Sequence, residues 1–365
     1  MISTRAAAPA RSLPAIGARW QAVCSAQPSW RLIQPSSVVR TACKSTAGTG
    51  AATPPPSQAD AVSPSNPCAS LHPADVWASF AENVSGEWEG TTASFSPDGS
   101  ALPLPEYYVP QAYRDWGVEL VDWQSQSSML ATQQDLTATS RRMMPTVGCE
   151  ADAIAYTQDA CKLFDTSARG AAAPTVAADG SFSYGPAGGD MSQADCFKAA
   201  LEQCLVMQPR RRRLRVVHNL RRVGAAGTWE LDSVDLHQER YESPHHGKVE
   251  LLGCGGGMKG FAGNERLAAE ELQGRWAARG VRYLVDGGDC RCHAVSGETW
   301  SAEGLAAGAL MLLPLKVWSA CNIQGDGIGV AAGVLLDEPG SMALVTRKLV
   351  AGRLVAAELL TLQRE

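Results

Sequence analysis

Two Gly-x-Trp triplets, Gly86-Glu87-Trp88 and Gly274-Arg275-Trp276, constrain this chain more than any other feature. Their tryptophans stand 188 positions apart (276 minus 88), and the pattern around them recurs. Before the first, Val76, Trp77, Phe80 and Val84 fall at helical spacing, with Asp75 placed to cap the start. Before the second, Leu267, Ala268 and Leu272 predict another short helix. Each half closes on a predicted long hairpin, 211–223 with 228–242 and 341–350 with 353–365. The closing strands end alike, in His237-Gln238-Glu239-Arg240 and Leu362-Gln363-Arg364-Glu365. In the strand 228–242, Trp229, Leu231, Val234, Leu236 and Tyr241 alternate with one slip, which predicts a bulge. A period this long is wrong for a solenoid and right for two tandem domains.

Strands joined by hairpins can hide their edges by closing into a barrel, and about eight strands leave room for one small apolar ligand. One end must then be plugged. Trp88 and Trp276, at the start of each first strand and backed by a helix, are the predicted plugs. Gly86 and Gly274 let the backbone bend towards that helix, and Arg240 and Arg364 can stack on the indoles from the last strands. The expected fold is all-β: two tandem antiparallel β-barrels, 71–245 and 264–365, each preceded by a short helix and joined by a Gly-rich connection over 246–263. The alternative is that two Trp-bearing strands follow glycine by coincidence. With 35 Gly and 21 Pro against 19% charged residues, the composition favours a turn-rich β protein. Strand-like runs are also read at 113–124 and 128–145, and 165–200 reads as a loop with a short strand.

The chain has 365 residues and a net charge of −5, distributed unevenly. Residues 1–59 hold no Asp or Glu but carry Arg5, Arg11, Arg19, Arg31, Arg40 and Lys44, so the rest sits near −11 (−5 minus 6). An acidic body argues against nucleic acid as a partner. Residues 1–45, rich in Ala, Ser and Arg, read as an organelle transit peptide, and 46–70 as a Ser/Thr/Pro/Gly linker. Import into the plastid, with the stroma as destination, is the first expectation and the mitochondrion the second. No apolar run there is long enough to span a bilayer. Eleven scattered cysteines do not form a disulfide framework.

The Gly-x-Trp start and the Arg-bearing final strand resemble the lipocalin/calycin superfamily. Residues 312–365, with Pro314, Trp318 and the strand around Arg347 and Lys348, are similar to the closing strands of the S-type phycobilin lyases. They are also similar to related two-domain lipocalin-like proteins of unknown function from cyanobacteria and plastids. The stretches 80–90, 109–124 and 211–220 resemble plastid members of that group. The resemblance implies lipocalin-like barrels that hold a bilin, another tetrapyrrole, or an acyl or isoprenoid lipid. It implies a binding role first. A lyase or chaperone presenting a bilin to a photosynthetic acceptor protein, or an assembly factor that binds no ligand, are the alternatives. Trp318 is a ligand-contact candidate on this basis.

Arg347 and Lys348 are neighbours on one strand, so one must point inward in a closed barrel, where a cation could pair with a ligand carboxylate. Arg213 and Arg215 share a face of the matching strand in the first half, near His218 and Arg221. A solvated strand face is the competing reading there. Cys290, Cys292 and His293 could ligate zinc only with a further ligand such as Cys254 or His245, and two core-facing cysteines on a strand are the simpler reading. The Gly-rich 253–260 lacks the Lys-Ser/Thr of a phosphate loop, and 243–247 reads as a surface turn. There is no Gly-x-Ser-x-Gly, no His-Glu-x-x-His and no dinucleotide fingerprint. No catalytic residue, metal site or obligatory cofactor is therefore assigned.

Overall fold

A computed structural model describes residues 74–132, 135–143, 156–165, 174–187, 191–207, 211–224, 227–248, 258–286, 289–305 and 310–365. The expected transit segment, the linker to residue 70, Cys254 and most of the Gly-rich connection lie outside these. A helix α1 (Ala74–Val84) leads into a nine-stranded antiparallel sheet. Its strands are β1 (Gly86–Phe95), β2 (Asp122–Ala131), β3 (Asp135–Met143), β4 (Tyr156–Asp165), β5 (Thr175–Val176), β6 (Phe182–Ala187), β7 (Lys198–Met207), β8 (Arg212–Val223) and β9 (Thr228–Ser243). Their spatial order is β4-β3-β2-β1-β9-β8-β7-β6-β5. A second sheet holds β10 (Trp276–Asp286), β11 (Asp289–Trp300), β12 (Leu310–Leu312), β13 (Val317–Gln324), β14 (Gly327–Leu335), β15 (Ser341–Val350) and β16 (Arg353–Arg364), in the order β11-β10-β16-β15-β14-β13-β12. In both, the first strand of the half pairs with the last, as a repeat built on the two Gly-x-Trp starts requires.

The chain is thus mostly antiparallel β with a short N-terminal helix. The first sheet forms a half-barrel around α1. Trp77, Phe80 and Val84 pack with Met129, Leu136, Val176, Phe182, Cys204 and Val206, residues drawn from β2, β3, β5, β6 and β7. Neither sheet closes by pairing its outermost strands among the described residues. Two closed barrels are therefore not seen. The expected helix before Trp276 is a single 3-10 turn, Ala269–Leu272. The amide of Leu267 donates to Leu313 O, which holds the chain extended until just before the turn. The run 113–124 is not a strand either. Pro110 precedes a one-turn helix α2 (Gln111–Asp115), and only its last residues join β2. The 165–200 stretch contributes β5, β6 and the start of β7.

The two sheets pack face to face and share a core. Phe95, Leu214, Val216, Val234 and Leu236 of the first meet Val317, Ala332, Val334, Val345 and Leu359 of the second. A second cluster joins Leu201 and Leu220 to Ile328, Val330, Leu349 and Leu354. Polar bonds cross the same seam. His218 Nε2 lies 2.8 Å from Ser319 Oγ, and Tyr283 donates to Val176 O at 2.8 Å. Among the described residues no helix is long and apolar enough to cross a membrane.

Both motif glycines adopt backbone that favours glycine, with φ +144° at Gly86 and +99° at Gly274. Each indole then turns back on the preceding turn. Trp88 Nε1 donates to Val84 O at 3.1 Å, and Trp276 Nε1 to Leu272 O at 3.3 Å.

Candidate functional site

The shared core occupies one face of the first sheet, leaving the other face for a site. On that inner face the register stacks side chains in rungs. Trp88 lies beside Tyr241 and Ser127; Gly90 beside Glu239 and Ser125; Thr92 beside His237 and Trp123; Ser94 beside Asp235. From β8, Arg213 pairs with Glu239, Arg215 with His237 and Val217 with Asp235. Rungs two residues apart on a strand are about 6.8 Å apart.

The lower rungs are filled. Arg213 is fully buried, with its guanidinium 3.9 Å over the Trp88 ring and Nε donating to Glu239 Oε2 at 2.5 Å. Its Nη1 reaches Met129 Sδ at 3.1 Å, while Nη2 finds no partner among the described residues. Arg215 Nε lies 3.2 Å from the same Glu239 oxygen, an ion pair rather than an aligned hydrogen bond. The other Glu239 oxygen accepts from Ser127 Oγ at 2.6 Å. Burial pushes the Glu239 carboxyl up, but Arg213 and Arg215 outweigh it and bring it down to about 2. Burial, reinforced by Arg215 and Arg142, keeps His237 neutral, with Nδ1 2.8 Å from Thr92 Oγ1. Cys204 is buried and its thiol is pushed up by desolvation, so it is inert.

The upper rungs open towards solvent and stay charged. Arg215 Nη1 donates to Glu202 Oε1 at 3.0 Å, with the Glu202 side chain 12% exposed. Arg142 meets Asp235 at 3.4 Å, side chains 32% and 13% exposed, and Ser94 donates to Asp235 at 2.5 Å. Beside this rim the segment 102–121 packs an aromatic cover over Trp123. Tyr108 sits edge-on to Trp123 at 5.1 Å, and Tyr107 lies 4.1 Å from Tyr108. Leu104, Val109, Tyr113 and Leu120 complete the cluster. Tyr107 and Trp116 remain 69% and 64% exposed.

Several sequence candidates lie elsewhere. Arg213 and Arg215 are on the inner face, buried rather than solvated. His218 is on the opposite face, between the sheets, also within 2.7 Å of Gln203 Oε1 and lowered to about 4 by burial. Arg221 is exposed and pairs with Asp232 and Glu230. Arg347 points into the seam and donates to Gly185 O at 3.0 Å, with desolvation lowering it to about 9. Lys348 is exposed on the other face of its strand. Trp318 is buried, stacked on Trp300 at 5.5 Å, with Nε1 donating to Met342 Sδ at 3.0 Å. Arg364 covers Trp276 at 4.6 Å. Arg240 does not cover Trp88. The bulge at Glu87/Trp88 sets Arg240 opposite Glu89 on the outer face, where the two form an ion pair, and Arg213 takes the expected place on the indole. Cys290 is half-buried, Cys292 and His293 are exposed, and no group of metal ligands assembles among the described residues.

Glu239, Glu202, His237, Asp235, Arg142 and Thr92 were not singled out from the sequence. The available signal was polar alternation: Asp235, His237, Glu239 and Tyr241 occupy the phase opposite Val234 and Leu236. Opposite charges at corresponding places on hairpin partners fit a paired face, but exposed pairs such as Arg221 with Glu230 show the same pattern.

No family model matches the chain, and no curated protein does. Among solved structures it is similar to a protein of unknown function of the DUF3598 family from Nostoc punctiforme, at 18% identity and a TM-score of 0.46. That similarity covers 79% of this chain and 98% of the other.

Proposed function

We propose that the chain is a lipocalin-like binding protein whose two curved sheets are the halves of a tandem-barrel design. Its ligand site is the upper inner face of the first sheet. Arg215 carries this reading: it is a nearly buried cation on an inner face, held by a carboxylate, Glu202, that itself reaches solvent. A ligand carboxylate can take the place of Glu202 on Arg215, and Arg142 stands at the rim to assist. The apolar body would lie against Trp123 under the 102–121 cover. An amphipathic molecule with a carboxylate fits, either a bilin-type tetrapyrrole or an acyl lipid. The inner face of the second sheet supports a structural role instead, since Trp276, Trp318, Met342, Leu344, Leu360 and Leu362 already fill it. The plastid stroma is the proposed location, and the mitochondrion the second.

The test incubates the full chain with biliverdin, protoporphyrin and palmitate. Expected are quenched tryptophan fluorescence, a shifted visible band for the pigments, and loss of binding in Arg215→Met. Absence of binding with every ligand, or binding that Arg215→Met leaves unchanged, refutes the proposal. The exposed Tyr107 and Trp116 favour a second reading, an assembly factor acting through its surface. Transfer of bound pigment to an acceptor protein would instead mark a lyase-like chaperone.

A further inference from the structure

The closed end of the half-barrel carries a separate cleft of about 510 Å³, lined by Glu82, Asn83 and Ser85 where α1 meets β1 and by Arg211, Tyr241, Pro244 and His245. It is open to solvent, and its lining is part polar and part apolar. Arg211 is its distinctive residue. It makes no ion pair among the described residues, and its guanidinium lies 3.5 Å over the Tyr241 ring. Its backbone sits at φ +46°, an uncommon left-handed conformation that Leu315, Lys316 and Ala351 also adopt. The amide of Tyr241 donates to Arg211 O at 2.9 Å and holds that conformation. Glycine or asparagine would satisfy such a turn at less cost; the arginine adds a cation that can have a role of its own.

The neighbours suggest one. Ser85 and Tyr241 bring hydroxyls and His245 an imidazole, while Pro244 and the Tyr241 ring offer apolar surface. Glu82 is the one carboxylate of the lining and is exposed to solvent. Tyr241 stands edge-on to Trp88 at 5.5 Å, and Trp88 lies under Arg213. Arg211, Tyr241, Trp88 and Arg213 therefore form one column of cation–π and edge-to-face contacts from the cleft to the buried Glu239. We propose that this cleft binds a small organic oxyanion, a carboxylate or phosphate ester, on Arg211, and that the column reports its occupancy to the inner face. This site is distinct from the one on the upper rungs, and its existence does not rest on that reading.

Titration calorimetry of the full chain with benzoate and with phenyl phosphate tests it. One-site binding of either is expected, and which of the two binds tells carboxylate from phosphate ester. Arg211→Gly is the decisive variant, because glycine relieves the left-handed backbone while removing the cation. It should keep or raise Tm and weaken binding roughly 10- to 100-fold. Arg211→Lys, which keeps the charge, should recover part of the loss. No binding of either probe up to about 5 mM, or Arg211→Gly binding as tightly as the wild type, overturns the proposal.

Discussion

Glu239→Gln is the most informative single change in the inner face. The carboxylate lies 2.5 Å from Arg213 and 3.2 Å from Arg215, and all three side chains are buried. Removing the charge strands Arg213 and takes one of its ion-pair partners from Arg215. Breaking a buried pair in this way costs about 3–5 kcal/mol. The titration of Glu239 leads to a similar figure. Lowering its carboxyl from 4.5 to about 2 is worth about 3 kcal/mol. The folded state holds that proton less tightly than the unfolded one. The stabilisation is therefore complete above the ordinary 4.5 and disappears as pH falls through about 2. Urea unfolding followed by tryptophan fluorescence, run from pH 7 down to pH 2, measures both effects. The variant should start about 3–5 kcal/mol lower at pH 7 and show a flatter decline below pH 5. The double change Arg213→Met with Glu239→Leu should recover much of the loss, since apolar groups replace a buried pair at little cost. A Glu239→Gln penalty under about 1 kcal/mol, the size of a surface pair, would refute the buried-network account.

Arg213, which caps the indole, and Arg240, which was expected there, should separate by exposure. Arg213→Met should cost several kcal/mol in the same unfolding assay; Arg240→Ala, which takes a 59% exposed cation from a Glu89 carboxylate that is only 3% exposed, should cost less than that but more than the about 1 kcal/mol of a surface pair. Burial lowers His218 from 6.5 to about 4, so its contribution is full above 6.5 and is lost towards pH 4, about 3 kcal/mol in all. The difference between wild-type and His218→Gln unfolding curves across that window should show it. Gly86→Ala should destabilise more than Gly274→Ala by thermal unfolding. Both positions have positive φ, but a Cβ at 86 meets the Tyr241 ring at 2.5 Å, while one at 274 meets nothing within 4 Å.

The repeat was legible because it rests on local signals. Glycines at positive φ, indoles two residues on and apolar alternation in two long hairpins all belong to short windows of sequence. The sheet-to-sheet contact was not legible, because alternation marks an apolar face of a strand but not the element that covers it, nor that the opposite, polar phase is buried as well. Arg213 and Arg215 illustrate this. In a periodic reading they are a wet face, and only pairing with Glu239 across a hairpin that slips at Asn219/Leu220 makes them an interior. The same kind of slip misplaced Arg240: one bulge at Glu87/Trp88 moved it to the other face of β9. Arg347 was expected to meet a ligand or solvent and instead meets Gly185 O of the other sheet, a contact between residues 162 positions apart.

That seam bears on how the gene could be cut. The boundary suggested by the repeat, near residue 264, divides the sequence but not the cohesion of the molecule. A fragment holding only the second sheet would present Val317, Val330, Val345, Leu349 and Leu359 to water, together with an Arg347 shorn of its carbonyl acceptors. Such a surface recruits whatever apolar partner is at hand. Each half acts as the resident chaperone of the other, and co-expressing the two as separate polypeptides should reconstitute a complex where neither alone remains dispersed.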